Sequence, residues 1–122
     1  AHKDGALPRD VIKISALAGG AGSKERILFC KTCDTLRKGS KEKKPCVEDK
    51  HELIIHQTQK PMALSIRLLN SCKQDEGIVY VPFAGTGSEC LAALQLGLPF
   101  LAAELNEDYV KLAQARLEDW KQ

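Results

Sequence analysis

The segment Pro82-Phe83-Ala84-Gly85-Thr86-Gly87 constrains this chain more than any other, because of what stands on either side of it. Before it runs Gly77-Ile78-Val79-Tyr80-Val81, a short β-branched run that reads as a buried strand. After it, Ser88 to Leu96 reads as a helix, with Gly97 placed to take the left-handed conformation beyond the last turn and Pro99 blocking continuation. Phe100-Leu101-Ala102-Ala103 makes a second strand, ending on Glu104. Asn106 is a good N-cap, and Glu107 and Asp108 complement the dipole of a closing helix. Val110, Ala113, Leu117 and Trp120 mark that helix's expected buried stripe. Upstream, Pro61 suits the first turn of a helix on which Met62, Ile66 and Leu69 recur at helical spacing. The order helix, strand, glycine loop, helix, strand, acid, helix is a βαβ nucleotide-binding unit with a helix in front. Two parallel strands are too few for a stable sheet, so something outside residues 61–122 must complete this one.

The first half has another texture. Residues 1–55 read as an irregular, loop-rich segment, and residues 56–122 as the regular unit. Ala18–Ser23 is a flexible glycine-rich stretch, and Lys38-Gly39-Ser40-Lys41-Glu42-Lys43-Lys44-Pro45 a polar charged loop. Short strands are expected at Val11–Ile14, Ile27–Phe29 and Leu53–Ile55. Residues 1–60 carry thirteen Lys/Arg against eight Asp/Glu, a net +5, whereas residues 61–122 carry five against eight, a net −3. A basic first half is either a surface facing nucleic-acid phosphate or a solvated lysine-rich loop. Hydrophobic residues at 43% and charged ones at 28% argue against wholesale disorder, and aromatics at 5% make the core aliphatic. The longest apolar run is too short to cross a bilayer and the start does not resemble a signal peptide. A cytoplasmic protein, or a nuclear one in a eukaryote, is the expectation. The first residues, Ala-His-Lys rather than Met, read as trimming or excision from a longer protein.

Three features of the second half carry chemistry. The glycines of the loop let backbone turn tightly and approach a ligand with no Cβ in the way. Glu104, seventeen positions beyond Gly87, can accept both hydroxyls of a ribose from a strand tip. His56-Gln57-Thr58-Gln59-Lys60-Pro61 ends at a helix N-terminus, where a lysine beside exposed N–H groups makes a carboxylate site. There is no Gly-Lys-Ser/Thr and no G-x-G-x-x-G, so no phosphate cradle is built. A ligand with a ribose and a carboxylate fits S-adenosylmethionine better than a dinucleotide.

His56–Pro61, then Val81–Ser88, then Ala103-Glu104-Leu105-Asn106-Glu107-Asp108-Tyr109 closely resemble the C-terminal portion of the DNA N6-adenine/N4-cytosine methyltransferases. The likeness is to the class whose catalytic motif precedes the cofactor loop. It is strong over residues 56–117 and extends faintly to Ser23-Lys24-Glu25-Arg26. It implies an α/β chain carrying the C-terminal half of a partial Rossmann-like S-adenosylmethionine-dependent methyltransferase fold. By this resemblance Thr58 and Lys60 approach the methionine end of the cofactor, and Phe83, Ala84, Gly85, Thr86, Gly87 and Ser88 form its loop. Glu104 then binds the ribose, while Leu105 and Asn106 flank the adenine. The implied activity is site-specific methylation of an exocyclic amine in DNA, as in restriction-modification. The amine attacks the methyl in line, on a base flipped out of the duplex, and catalysis is mainly positioning.

Two departures from the family pattern stand out. Val81 occupies the position where the family usually carries Asp, which removes one contact expected near the cofactor's ammonium. The catalytic signature, Asp, Asn or Ser followed by Pro-Pro and an aromatic residue, has no counterpart, since no Pro-Pro occurs. No catalytic residue is therefore assigned, and the catalytic half is expected from the same protein or another chain. The alternative reading is a non-catalytic methyltransferase-like subunit that binds DNA or a catalytic partner.

Cys30-x2-Cys33, Cys46 and His51 form a further constellation. Three thiolates and an imidazole can complete a tetrahedral zinc site stapling a segment with little core of its own. A redox pair or simply unpaired thiols are the alternatives. His56 could replace His51 but belongs to the resembling motif. Cys72 and Cys90 read as small buried hydrophobes of a reduced compartment.

Overall fold

The computed structural model describes residues 12–14, 25–72 and 74–122. Ile12–Ile14 carry no strand, while Val11 and the Ala18–Ser23 stretch lie outside the described residues. Among the described residues nine elements follow in order: β1 (Ile27–Cys30), β2 (Thr35–Lys38), α1 (Gly39–Glu48), β3 (Leu53–Ile54), α2 (Met62–Cys72), β4 (Val79–Val81), α3 (Ser88–Gln95), β5 (Phe100–Ala102) and α4 (Glu107–Lys121). This is a mixed α/β chain with two small sheets.

In the first sheet β1 runs antiparallel to both neighbours, in the order β2-β1-β3, with Phe29 opposite Leu36 and Ile54. All four residues of β1 are buried. Alternation along the strand explains why: Ile27 and Phe29 meet Ile54 and Leu112 of α4, while Leu28 and Cys30 meet Cys46 of α1. A strand covered on both faces has no use for a polar position, hence the unbroken apolar run.

The polar loop expected at Lys38–Pro45 is instead the helix α1. Lys41 and Lys44 are exposed and Lys43 is half-buried, while Cys46 is fixed in the core. The Lys38 N–H donates to the Glu42 carboxylate at 2.8 Å, and Lys44 pairs with Glu48 one turn on at 3.5 Å. Pro45 forfeits one helical hydrogen bond. Composition pointed to a loop; one buried cysteine and local charge pairs favour a helix instead.

The second sheet pairs β4 and β5 in parallel, with Val79 opposite Phe100 and Val81 opposite Ala102, and α3 makes the crossover. Val81, Ala84 and Cys90 form its core with Val79, Phe100 and Leu117. No third strand joins this pair among the described residues, and Ile78, Tyr80 and Leu101 remain exposed.

The closing helix is rotated from the expected stripe. Leu112, Ala113 and Arg116 are its buried residues; Val110 and Leu117 are half-buried and Trp120 is exposed. The reason is that α4 serves two surfaces, giving Leu112 to the first sheet and Ala113 to Gly87. On α2 Met62, Ile66 and Leu69 are half-buried and Ser65 alone is buried. Cys72, expected inside, is exposed at the end of α2, whereas Cys90 is buried.

Candidate functional site at the glycine loop

Beyond β4 the chain turns through two glycines at positive φ, Gly85 at 53° and Gly87 at 73°. Both also sit against neighbours. A Cβ on Gly85 would stand 3.0 Å from His56 Nε2, and one on Gly87 would stand 3.2 Å from the Ala113 Cβ. The turn is closed by the Gly87 N–H donating to the Ala84 carbonyl at 2.8 Å. It is tied to the second strand by the Ala84 N–H donating to the Ala103 carbonyl at 2.9 Å.

Glu104 lies directly beside this turn. Its Oε2 accepts the Gly85 N–H at 2.7 Å and its Oε1 accepts the Asn106 N–H at 3.0 Å. The Asn106 N–H holds the carboxyl below its ordinary range against the opposing effect of burial, with the Gly85 and Leu105 N–H groups and His56 adding to the lowering. The carboxylate is therefore ionised at neutral pH and spans loop and strand end. Asn106 is the observed N-cap of α4, its side-chain oxygen accepting the Asp108 and Tyr109 N–H groups at 2.9 and 3.3 Å. Leu105 between them is 99% exposed, and Phe83 at the start of the turn is 85% exposed.

Behind the loop a cation was not anticipated. Arg116 is 6% exposed and its Nη1 donates to the Thr86 carbonyl, the Thr86 hydroxyl and, at 2.8 Å, the Ser88 hydroxyl. Burial lowers its pKa, while Glu25 and Glu89 oppose that shift. Glu25 lies 3.8 Å away and also accepts the Met62 N–H at 2.6 Å, fixing the start of α2. Gln59 is buried too, accepting the Ile27 N–H at 3.2 Å and donating to the Glu25 carbonyl at 2.9 Å. Nothing in the spacing of α4 marks Arg116 as a brace; the faint Glu25-Arg26 likeness was the one available hint.

A cleft of about 210 Å³ opens in front of the loop. Thr58, Lys60, Phe83, Ala84, Gly85, Thr86 and Ser88 line it, together with His56, Gln59 and Glu89. Gly87, Glu104, Leu105 and Asn106 are not on its wall. Lys60 is paired with Glu89 at 2.7 Å, the Thr58 N–H donates to His56 Nδ1 at 3.2 Å, and the His56 ring leans on Tyr109 with centroids 4.5 Å apart. Val81 is buried in the core below. A larger apolar groove of about 400 Å³ adjoins the cleft between α2 and β4, beside Leu64, Leu68, Tyr80 and Phe83. A further cavity, of about 590 Å³, lies between β2 and α4, where Lys31, Asp34, Lys111 and Asp119 mix both charges away from the loop.

At the far end of β1, Cys30, Cys33, Cys46 and His51 bring their donor atoms within 4.8 Å of one another. All the cysteines are free thiols. Burial pushes the Cys30 thiol up, but the Cys33 N–H, His51 and the two other sulfurs together outweigh it and bring the thiol to about 7 from an ordinary 9.0. His56, against Gly85, is not part of this group.

Known proteins match this arrangement of segments. A profile of the DNA methylase family, of the N6/N4 type, matches residues 22–115. The chain is 44% identical over 62 residues to the putative methylase YubD of Escherichia coli, covering 51% of this chain and 27% of that protein. To the type II methyltransferase M.ScaI of Streptomyces caespitosus it is 34% identical over 67 residues, 55% of this chain and 22% of the relative. To the DNA adenine methyltransferase YhdJ of Escherichia coli it is 36% identical over 63 residues, 52% and 21% respectively. It thus spans about a quarter of the length of these relatives. No solved structure matches. No helix among the described residues is long and apolar enough to cross a membrane. With a family match running over most of its length, the chain belongs to the N6/N4 DNA methylase family.

Proposed function

We propose that residues 56–122 are the S-adenosylmethionine-binding portion of a site-specific DNA methyltransferase acting on adenine N6 or cytosine N4. The observation that carries this reading is the docking of the Glu104 carboxylate on the Gly85 N–H, with an open cleft in front of the same turn. Family membership implies S-adenosylmethionine as methyl donor and DNA as substrate.

The residues present suit that cofactor. Each Glu104 oxygen accepts one backbone N–H and keeps a lone pair for a ribose hydroxyl. Exposed Leu105 and Phe83 offer apolar surface to an adenine ring. Asn106 contributes its backbone there, because its side chain caps α4. At the other end Lys60 and Glu89 form a plus–minus pair, which complements the carboxylate and ammonium of an amino acid. Glu89 thereby supplies the acid missing at Val81. Within the same reading the two-stranded β4–β5 sheet is part of a Rossmann-like sheet, and the groove beside β4 receives the strand bearing the Pro-Pro motif that residues 1–122 lack.

Titration calorimetry with S-adenosylmethionine tests the proposal. Saturable binding that Glu104→Ala weakens by about tenfold or more, and Glu89→Gln by less, is expected from loss of a charged hydrogen-bonding partner. Binding unchanged in both variants contradicts it. A well-folded chain, joined to its catalytic half, that binds no cofactor supports the alternative of a non-catalytic subunit, the reading favoured by apolar Val81.

A further inference from the structure

We propose that Cys30, Cys33, Cys46 and His51 hold one zinc ion in tetrahedral coordination, with the Asp49 carboxylate beside the histidine.

The distances fit a metal rather than sulfur–sulfur chemistry. Tetrahedral zinc with sulfur at ~2.3 Å and nitrogen at ~2.0 Å sets neighbouring ligand atoms roughly 3.5–3.8 Å apart. In the structure Cys33 Sγ lies 3.4 Å and Cys30 Sγ 3.5 Å from His51 Nδ1, and Cys33 Sγ lies 4.0 Å from Cys46 Sγ. A disulfide would need ~2.05 Å. The four donors come from four different places: the end of β1, the β1–β2 turn, α1, and the approach to β3. One ion would therefore pin elements that otherwise share only a small core.

Three further observations point to a ligand here. The Cys33 N–H donates to Cys30 Sγ at 3.4 Å, as it would to a metal-bound thiolate. The other histidine nitrogen, Nε2, is turned to the side of the Asp49 carboxylate, 3.9 Å away, where an outer-shell partner of a ligating imidazole would stand. The backbone is bent to suit: Asp34, directly after Cys33, and Lys50, directly before His51, are the non-glycine residues at positive φ among those described. Such strain persists where the surroundings over-determine it. A soft three-sulfur, one-nitrogen set selects zinc over magnesium or calcium.

The site also reaches the glycine loop. Lys31, inside the Cys-x2-Cys turn, binds Glu52 at 2.6 Å and Asp108 in the first turn of α4 at 3.1 Å. The metal unit is thereby tied to the helix that Asn106 caps beside Glu104.

The test uses the whole chain, expressed with added zinc and isolated under reducing conditions. Metal analysis should return one zinc per chain, lost in Cys33→Ser and His51→Ala and retained in Cys72→Ser; Asp49→Asn should weaken binding by roughly tenfold. Cobalt(II) titration of the zinc-stripped wild type needs no variant, and should give a tetrahedral d–d spectrum with charge-transfer intensity for three thiolates. Metal-free protein after zinc reconstitution, a cobalt spectrum lacking thiolate bands, or a Cys33–Cys46 disulfide in the isolated chain would each overturn the proposal. None of these readouts depends on S-adenosylmethionine, so failure here and failure of the cofactor reading are told apart.

Discussion

Gly87 shows how one residue can serve conformation and packing together. At φ 73° an alanine pays the left-handed penalty of about 1–2 kcal/mol, and its Cβ meets Ala113 at 3.2 Å. Gly87→Ala should therefore lower the thermal midpoint by several degrees in calorimetry, where Ala84→Gly, at a position without positive φ, would act through lost burial and a freer unfolded chain. Arg116→Ala removes the partner of two hydroxyls and a carbonyl in a buried setting. A loss of about 2–4 kcal/mol is expected, read as a shift in the urea midpoint. Glu104 carries a pH signature. Its folded pKa is depressed by the Asn106 and Gly85 N–H groups, so its contribution is complete above the ordinary carboxylate pKa and is lost as pH falls through the folded value. Glu104→Gln should flatten that part of the acid limb while leaving the neutral-to-alkaline side of the stability profile unchanged. If the two proteins lose stability in parallel on acidification, the carboxylate is not anchoring the loop.

Between elements, legibility in the sequence followed the range of the forces. The β4–α3–β5 unit could be read from residues 77–104 because its signals are local: a β-branched run, a loop that only glycine tolerates, and a proline stop. The Asn106 cap was equally local, and the structure shows it. What failed was set by partners distant in sequence. The face of α4 depends on Ile27, Phe29 and Ile54, more than fifty residues upstream, so a helical wheel pointing at Trp120 missed Leu112 and Arg116. Likewise α1 has a lysine-rich surface that composition assigns to a loop, and Cys46 alone marks its inner face. The cysteine and histidine spacing identified a cluster, but only the fold set Asp49 beside it. On the zinc proposal above, chelation should accordingly unfold or loosen α1 and β3 first. Hydrogen exchange would show protection falling at residues 46–54 before it falls in α3; uniform loss, or none, would contradict that order.

For the molecule as a whole, the two sheets have opposite fates. The first is closed by α1 on one face and α4 on the other, whereas the second leaves Ile78, Tyr80 and Leu101 in water with an apolar groove alongside. Leu101→Lys should cost this chain little stability, since the side chain is 60% exposed. Its effect should appear when the chain is joined to the remainder of a methyltransferase, as loss of assembly in size-exclusion chromatography. Of the basic residues of the first half, Lys31, Lys38 and Lys60 are engaged with carboxylates.

The parallel bonds of β4 have one more implication. Val79 donates to the Pro99 carbonyl and Val81 accepts from the Ala103 N–H, so alternate residues spend their backbone groups on β5. By the same alternation Tyr80 turns its amide and carbonyl the other way, towards a margin with no neighbour among the described residues. Such a margin is adhesive. Concentrated alone, these molecules should stick to each other along it, and a proline at position 80 should keep them apart.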